Sequence, residues 1–124
     1  MQSDDSFHIA ITPSGSRWLI RLCGEADYSV VSELSAALAA IGLHPGQEVH
    51  IDVGDLRFVD VSCLRALIRF AQRAQQVDVT VTVERPNHAF TRIHGMMDPG
   101  VLQLSPRQNR EPLQQATDPP LNGG

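Results

Sequence analysis

Apolar and polar residues alternate in two runs near the start of the chain. The first run covers residues 7–12 and the second covers residues 17–22, with Pro13 and Gly15 in the segment between them. Alternation with a period of two is typical of a half-buried β-strand, because successive side chains of a strand point to opposite faces. Two such strands joined by a short segment with Gly and Pro predict a β-hairpin.

After the second strand the spacing of apolar residues becomes helical. Apolar side chains recur at i, i+3, i+4 and i+7 between Val30 and Ile41, which predicts an amphipathic helix. Asp27 or Ser29 could cap its start. Gly42 could end the helix in the left-handed conformation.

Three more segments have the pattern of strands. Residues 48–54 place their valines and isoleucine on one face, and residues 78–84 are a β-branched alternating run. The second of these gives the clearest strand prediction in the chain. Residues 101–104 predict a last, short strand.

Two further helices separate these strands. Residues 64–74 carry apolar side chains at helical spacing, and a third, shorter helix begins at Pro86 and Asn87. The predicted order is therefore β-β-α-β-α-β-α-β. It predicts an α/β fold with parallel strand pairs and right-handed crossovers, in which the opening hairpin makes the sheet mixed. Because several strands alternate apolar with polar residues, we expect the helices mainly on one face.

The composition divides the chain into a domain and a tail. A length of 124 residues is that of one domain, and 42% of the residues are hydrophobic, which is enough for a core. Residues 105–124 contain four of the eight prolines and only scattered apolar residues. This Pro- and Gln-rich segment cannot bury enough surface to offset its ordering entropy. We predict a domain at residues 6–104 and a disordered tail at residues 105–124.

Charge and cysteine content limit the partners and the compartment. The formal net charge is −4 and there is no basic stretch, which argues against nucleic-acid binding. The N-terminal segment MQSDDSFH is polar and acidic, unlike a signal peptide, and no apolar run is long enough for a membrane helix. Cys23 and Cys63 lie inside apolar segments, which predicts two buried thiols in a reducing compartment. We expect a cytoplasmic protein that is not bound to a membrane.

The sequence predicts neither a cofactor nor a metal site. His88 and His94 are six residues apart, whereas ligands on one helix face are about three or four residues apart. Walker and dinucleotide-binding motifs are lacking. Glu25 and Asp27 could form a carboxylate pair, although one helix cap and one solvated charge is the interpretation we favour.

The junction between the third predicted strand and the second helix is the most informative segment. The residues Asp60-Val61-Ser62-Cys63 lead into the helix, where free N–H groups and the helix dipole favour negative charge. Asp60 or Ser62 could simply cap the helix, which is worth about 1 kcal/mol. Alternatively, the junction holds a phosphate or contacts a partner.

Two segments resemble the signature of STAS domains. FVDVSCLRAL stands where that family often has a pattern like F-I-D-S-S-G-L-x-A-L, and LCGEADYSVVSELSAALAAI is similar to the family's L-x-G-E-L-D segment and the helix after it. The order of the elements matches over residues 6–104. The resemblance implies a STAS-like mixed β-sheet and the function of an anti-sigma factor antagonist.

What the resemblance implies further is a regulatory switch without catalysis. Soluble family members bind an anti-sigma factor of the histidine-kinase-like ATPase class and thereby release a sigma factor for transcription. That kinase phosphorylates the first Ser after the motif Asp. A phosphate adds about −1.5 to −2 charges to the interface, and repulsion then breaks the complex.

The family's residues carry over in part. Asp27, Asp60, Ser62 and Leu64 match the motif, whereas Val61 stands at the phosphoacceptor position and Cys63 replaces a Gly. Both segments lie at the carboxyl ends of strands, where α/β sheets usually place their sites. The predicted partner-binding residues are Glu25, Asp27, Tyr28, Asp60, Val61, Ser62, Cys63 and Arg65.

Valine has no hydroxyl group, so the departure at Val61 affects the predicted regulation. Ser62 could accept the phosphate instead. The chain could also bind its partner constitutively, or it could be a divergent domain that has lost this partner. We favour loss of regulation at the usual position.

Two other functions remain as alternatives. One is a ligand-sensing or scaffold STAS module inside a larger signalling complex, which would contain a pocket for a small molecule. The other is a small hydrolase that uses Cys63 or Ser62, but no nucleophile-elbow pattern supports it. The sequence leaves the oligomeric state open, with a homodimer as one option.

Overall fold

The computed structural model describes residues 6–97 and 102–104. Its elements are β1 (His8–Ser14), β2 (Arg17–Ala26), a 3-10 turn (Tyr28–Val30), α1 (Val31–Ala39), β3 (Glu48–Val59), α2 (Val61–Gln75), β4 (Thr80–Glu84), α3 (His88–Met97) and β5 (Gln103–Leu104). This order confirms the predicted β-β-α-β-α-β-α-β pattern. The predicted tail at residues 105–124 lies outside the described residues.

The five strands form one sheet in the order β1-β2-β3-β4-β5. β1 pairs with β2 in antiparallel orientation, and every later pair is parallel. Right-handed crossovers that advance in one direction across a sheet all lie on the same face. The three helices therefore cover one face, as the alternating strands predicted, and α2 packs against both α1 and α3.

The core lies between this helical layer and the sheet. In β3 the side chains of Val49 and Ile51 are fully buried under the helices, whereas His50 and Asp52 on the opposite face are only half-buried. No polar or charged residue is buried within the described part of the chain. The largest fully buried side chains include those of Phe70, Phe90, Ile20, Leu22, Leu34, Leu38, Ile51, Leu64 and Leu67.

β3 is longer than predicted because two β-bulges interrupt its alternation of buried and exposed side chains. The register with β2 shifts between Arg21 and Cys23 and again between Gly24 and Glu25. At each shift β3 contains one extra residue. The next side chain that faces the helices therefore comes three positions later instead of two. The buried residues in this part of β3 are Val53, Leu56 and Val59. The strand consequently continues to the start of α2.

The prediction that Gly42 ends α1 in the left-handed conformation is wrong. The helix ends at Ala39, and Ala40 keeps right-handed helical dihedrals. The amide N–H of Ala40 donates to the carbonyl of Ala36 at 3.2 Å, and the N–H of Ile41 donates to that of Leu38 at 3.2 Å. Because these right-handed turns satisfy the last carbonyls, the chain needs no left-handed residue here.

The prediction of two buried thiols is correct for Cys63 only. Both cysteines are free thiols; Cys63 is buried and Cys23 is half-buried. Cys23 follows the buried Leu22 in β2, so its side chain points to the face of the sheet that the helices leave open. Among the described residues, α2 is the longest helix at 15 residues, and no helix there is long and apolar enough to cross a bilayer.

Candidate functional site at the carboxyl edge of the sheet

The ends of β2 and β3 bring the two motif segments together. Because the two strands are adjacent and parallel, their carboxyl ends lie at the same edge of the sheet. The N–H of Asp60 donates to the carbonyl of Ala26 at 2.8 Å. The thiol of Cys63 donates to the carbonyl of Asp27 at 3.3 Å. We call the segments 25–28 and 58–62 the carboxyl edge.

Asp27 begins the turn that follows β2. Its carboxylate Oδ1 accepts a hydrogen bond from the N–H of Ser29 at 2.9 Å and a second one from the Ser29 hydroxyl. Asp27 thus caps the 3-10 turn that precedes α1. The sequence predicts that Asp27 or Ser29 caps the helix; Asp27 instead caps the 3-10 turn before it, and Val30, the N-cap of α1, has no side-chain capping hydrogen bond.

The start of α2 has a different arrangement from the predicted side-chain cap. Asp60 occupies the N-cap position with extended dihedrals, but no side chain makes a capping hydrogen bond there. Its backbone carbonyl accepts from the N–H of Leu64 at 3.0 Å. The Ser62 hydroxyl donates to Asp60 Oδ2 at 3.3 Å instead of reaching the backbone. The half-buried carboxylate and hydroxyl therefore pair with each other at the surface.

Large apolar side chains are exposed at the carboxyl edge. Tyr28 is 74% exposed, Phe58 is 48% exposed and Val61 is 38% exposed. Only Leu19 and Val77 are comparable among the described residues. Large exposed apolar side chains on two segments that contact each other mark a candidate interaction site. The carboxylates of Asp27 and Asp60 lie on the same two segments.

Phe58 is a candidate contact residue that the sequence reasoning missed. It precedes Val59, and both are apolar. Since successive side chains of a strand point to opposite faces, only one of the two can enter the core. Val59 is buried and Phe58 is exposed. The pair of consecutive apolar residues at the end of the strand indicates that one of them is exposed, and this pattern could have identified Phe58.

Cys63 does not belong to the contact surface. Its side chain is fully buried together with that of Leu64, because the first turn of α2 faces the core at these positions. Burial, with the nearby Asp60 and Asp27 carboxylates, raises the pKa of the Cys63 thiol to about 11. The thiol stays protonated at neutral pH and is a poor nucleophile, which argues against the Cys63 hydrolase.

The remaining predicted residues are accessible. Glu25 is exposed at the end of β2, next to Phe58 on β3 in the strand register. Arg65 is exposed one turn into α2. A partner that approaches this edge can reach every predicted contact residue except Cys63. In the described part of the chain, no His, Cys, Asp and Glu side chains group in a way that could hold a metal ion.

The family is identified by comparison with known proteins. Residues 9–102 match the model of the family described as "Mlab, STAS domain". The match covers most of the chain and includes both motif segments, so the chain belongs to the STAS-domain family. None of the curated proteins matches the chain by sequence similarity.

Solved structures share the fold. An anti-sigma factor antagonist from Mycobacterium paratuberculosis superposes with a TM-score of 0.64 at 16% identity, covering 83% of this chain and 90% of that one. The anti-sigma factor antagonist SpoIIAA, in its unphosphorylated form, gives 0.58 at 15% identity, with 81% and 87% covered. RsbS from Moorella thermoacetica gives 0.57 at 19% identity, with 78% and 85% covered. At these identities the similarity establishes the fold.

Proposed function

We propose that this STAS domain is an anti-sigma factor antagonist, a binding protein that docks on an anti-sigma factor of the histidine-kinase-like ATPase class. Two of the proteins that share its fold are named as anti-sigma factor antagonists. The observation that carries the proposal is the exposed apolar group at the carboxyl edge, Tyr28, Phe58 and Val61. It lies on the same segments that carry the family motifs.

The chemistry of the edge suits a protein partner better than a reaction. Tyr and other aromatic residues dominate the binding energy of protein interfaces, and burying apolar area contributes about 25 cal/mol per Å². The carboxylates of Glu25, Asp27 and Asp60 add negative charge around this apolar centre. A cationic patch on the partner would meet them and fix its orientation.

Binding is not switched by phosphorylation at position 61, because valine cannot accept a phosphate. Ser62 is the neighbouring hydroxyl, and it is already hydrogen-bonded to the Asp60 carboxylate at 3.3 Å. A kinase would have to break this pair before transferring a phosphate to Ser62. The product would place about two negative charges beside that of Asp60. We therefore infer constitutive binding to the anti-sigma factor.

The binding surface is tested with two matched valines. Val61 is the first residue of α2 and is 38% exposed; Val77 follows the end of the helix and is 39% exposed. Val61→Asp should weaken binding to the purified anti-sigma factor of the native host by about tenfold or more, as measured by calorimetry. Val77→Asp should change the affinity by less than about twofold. Equal affinities of the two variants, both folded by circular dichroism, would exclude the carboxyl edge as the binding surface.

The regulation is tested separately. The wild-type protein and Val61→Ser are incubated with ATP and the same anti-sigma factor, and the modified residues are mapped by mass spectrometry. Val61→Ser should gain a phosphate at residue 61, while the wild-type protein should remain unmodified. A phosphate on Ser62 of the wild-type protein would show that regulation has moved by one residue.

A further inference from the structure

The exposed sides of α1 and α2 are separated by a groove of about 300 Å³. Its lining is apolar in the middle and polar along the α2 side. Leu38 is almost fully buried, while Val31 and Ala66 are half-buried. The residues that line the groove include Val31, Leu38, Ala66, Ser62, Arg69 and Arg73. A ligand in this groove would meet an apolar floor and guanidinium groups on one rim.

The arginines of α2 form a row without carboxylates. Arg65, Arg69 and Arg73 are spaced by four residues, so they lie on one side of the helix, and all three are exposed. α2 contains no acidic residue. Within residues 6–97 and 102–104, none of the three forms an ion pair. Arg73 only stacks over the ring of Phe70, at 5.6 Å from its centroid.

Two arginines on the sheet differ from those of α2 because they are paired with carboxylates. On the open face of the sheet, Arg21 pairs with Asp55, and Arg85 pairs with Asp52 at 3.0 Å. The chain has a net charge of −4, so carboxylates are more numerous than cations. The positive charge on α2 is nevertheless concentrated and unneutralised, and it attracts an anionic partner.

We propose that the groove between α1 and α2 binds an acidic amphipathic segment of a partner protein. Apolar side chains of that segment fill the floor, and its carboxylates accept hydrogen bonds from Arg69 and Arg73, which suit bidentate pairing. An amphipathic helix satisfies both requirements, since it presents apolar anchors at i, i+3, i+4 and i+7 with acidic residues beside them. The groove begins at Ser62, which is also the last residue of the carboxyl edge. The segment therefore belongs to the partner of the proposed function, on which this assignment rests.

The shape of the groove favours a protein segment over other anions. A phosphate backbone would engage the arginines but would gain nothing from a recessed apolar floor. A membrane contact needs apolar side chains that protrude beyond the cations, as in interfacial amphipathic helices. Here Leu38 is buried and Ala66 is short and half-buried, so the apolar surface lies below the arginine row.

Two labelled peptides that differ only in charge test the proposal. Each is an amphipathic helix of about five turns with leucines at i, i+3, i+4 and i+7, and its flanking positions are glutamate in one peptide and lysine in the other. Fluorescence anisotropy with the full chain at low salt should give a Kd about tenfold lower for the glutamate peptide. Amide chemical-shift changes should lie on α1 and α2.

Charge reversal supplies the matched control. The double variant Arg69→Glu, Arg73→Glu should prefer the lysine peptide. The variant Arg17→Glu, Arg92→Glu has the same net charge and changes two exposed arginines outside α2, and it should keep the wild-type preference. Equal binding of both peptides to the wild-type protein, or shifts confined to the open face of the sheet, would overturn the proposal. Arginine-dependent binding of phosphatidylglycerol vesicles in place of the glutamate peptide would do the same.

Failure of the groove assignment and failure of the proposed function can be told apart, because the two experiments use variants that do not overlap. Val61→Asp leaves the arginine row intact, and the double variant leaves Tyr28, Phe58 and Val61 intact. If the peptides fail but Val61→Asp still weakens binding of the anti-sigma factor, the groove assignment is wrong and the proposed function stands. If the peptides behave as expected and no anti-sigma factor binds, the groove serves a different partner class.

Discussion

His50 illustrates how the fold sets the charge of a single side chain. Its ring lies on the open face of the sheet between two glutamates: Nδ1 is 2.8 Å from Oε2 of Glu84, and Nε2 is 2.9 Å from Oε1 of Glu48. Partial burial lowers the pKa of this imidazole, but the hydrogen bonds to Glu48 and Glu84 outweigh burial. The net effect is that the pKa of His50 is raised. The ring thereby links β3 to β4 through Glu84, and both glutamates favour its protonated form.

The raised pKa predicts how stability depends on pH. The stabilisation from protonated His50 is fully present below the unfolded pKa of about 6.5, and it is lost as the pH rises through the higher folded pKa. The free energy of unfolding should therefore fall across this range. His50→Gln should remove that part of the fall, as measured by urea denaturation at a series of pH values. His44→Gln, at an exposed loop position, is the control, and an identical pH slope in both variants would contradict the assignment.

The side chain at residue 61 is accessible, and its identity determines whether a kinase can phosphorylate it. Val61 is 38% exposed at the first position of α2, so a serine would fit there without disturbing the core. The fold therefore does not explain why valine occupies the position. What the valine changes is the chemistry available to a kinase, which the Val61→Ser experiment tests.

Among the elements, α3 packs on the core through Phe90 and is hydrogen-bonded to the sheet through Asn87, the residue before its start. Asn87 accepts a hydrogen bond from the N–H of Phe90 at 3.0 Å, which caps the helix. Its amide group donates to the carbonyls of Val53 at 3.1 Å and Leu56 at 2.7 Å. Both carbonyls lie beyond Asp52, the last residue of β3 that pairs with β4. Asn87 thus satisfies both the helix end and carbonyls of β3 that β4 does not reach.

Removing this side chain should destabilise the protein measurably. Asn87→Ala loses the cap and leaves two carbonyls without their donor, which together cost about 2–3 kcal/mol. Asn87→Ser keeps a capping oxygen but lacks the amide donor, so it should recover about 1 kcal/mol of that loss. Urea unfolding of the two variants provides the comparison. If they are equally stable, the cap contributes nothing.

The end of α2 depends on a left-handed residue that is not glycine. Asp78 has φ of +60°. Its N–H donates to the carbonyl of Gln75 at 3.2 Å, and the N–H of Val79 donates to that of Ala74 at 2.9 Å. This pair of bonds is the Schellman arrangement. Val79 and Ala74, which are both buried, provide its usual apolar contact.

A glycine should suit this position better. Asp78→Gly removes the Cβ penalty of the left-handed conformation and should raise the free energy of unfolding by about 0.5–1 kcal/mol. Thermal unfolding of the two proteins measures the difference. Asp78→Ala keeps a Cβ and should give no gain, and a gain of equal size in both variants would contradict the mechanism.

For the whole molecule, charge is distributed unevenly. The open face of the sheet carries paired charges such as Arg85 with Asp52, the carboxyl edge carries carboxylates, and α2 carries unpaired arginines. A partner that spans the edge and the groove would meet negative and positive regions in a fixed order. Such an arrangement contributes to specificity and orientation more than to affinity.

The composition of residues 105–124 predicts that the tail does not stabilise the domain. A chain that ends at residue 104 should therefore keep the melting temperature of the full chain within about 2 °C. Differential scanning calorimetry of the two proteins checks this. A larger decrease would mean that the tail packs on the domain.

The sequence alone determined the order of elements, the opening hairpin and the helical layer on one face. Each of these follows from the period of apolar residues, which is a local property of the chain. The segments around Asp27 and Asp60 were also identified, since polar residues after a strand are visible in sequence. Caps and helix ends were less predictable, because several neighbouring residues could each make the same hydrogen bond.

Only the tertiary structure decided which side chains at the site are accessible. The two bulges of β3 turned Phe58 outward and Val59 inward, and the packing of the first turn of α2 buried Cys63. The arginine row became a distinct surface only when the described carboxylates proved to lie elsewhere. Sequence periodicity records which face of an element is apolar. Strand register and the neighbours of each element depend on contacts between residues far apart in the chain. A local pattern of apolar residues does not reveal these contacts.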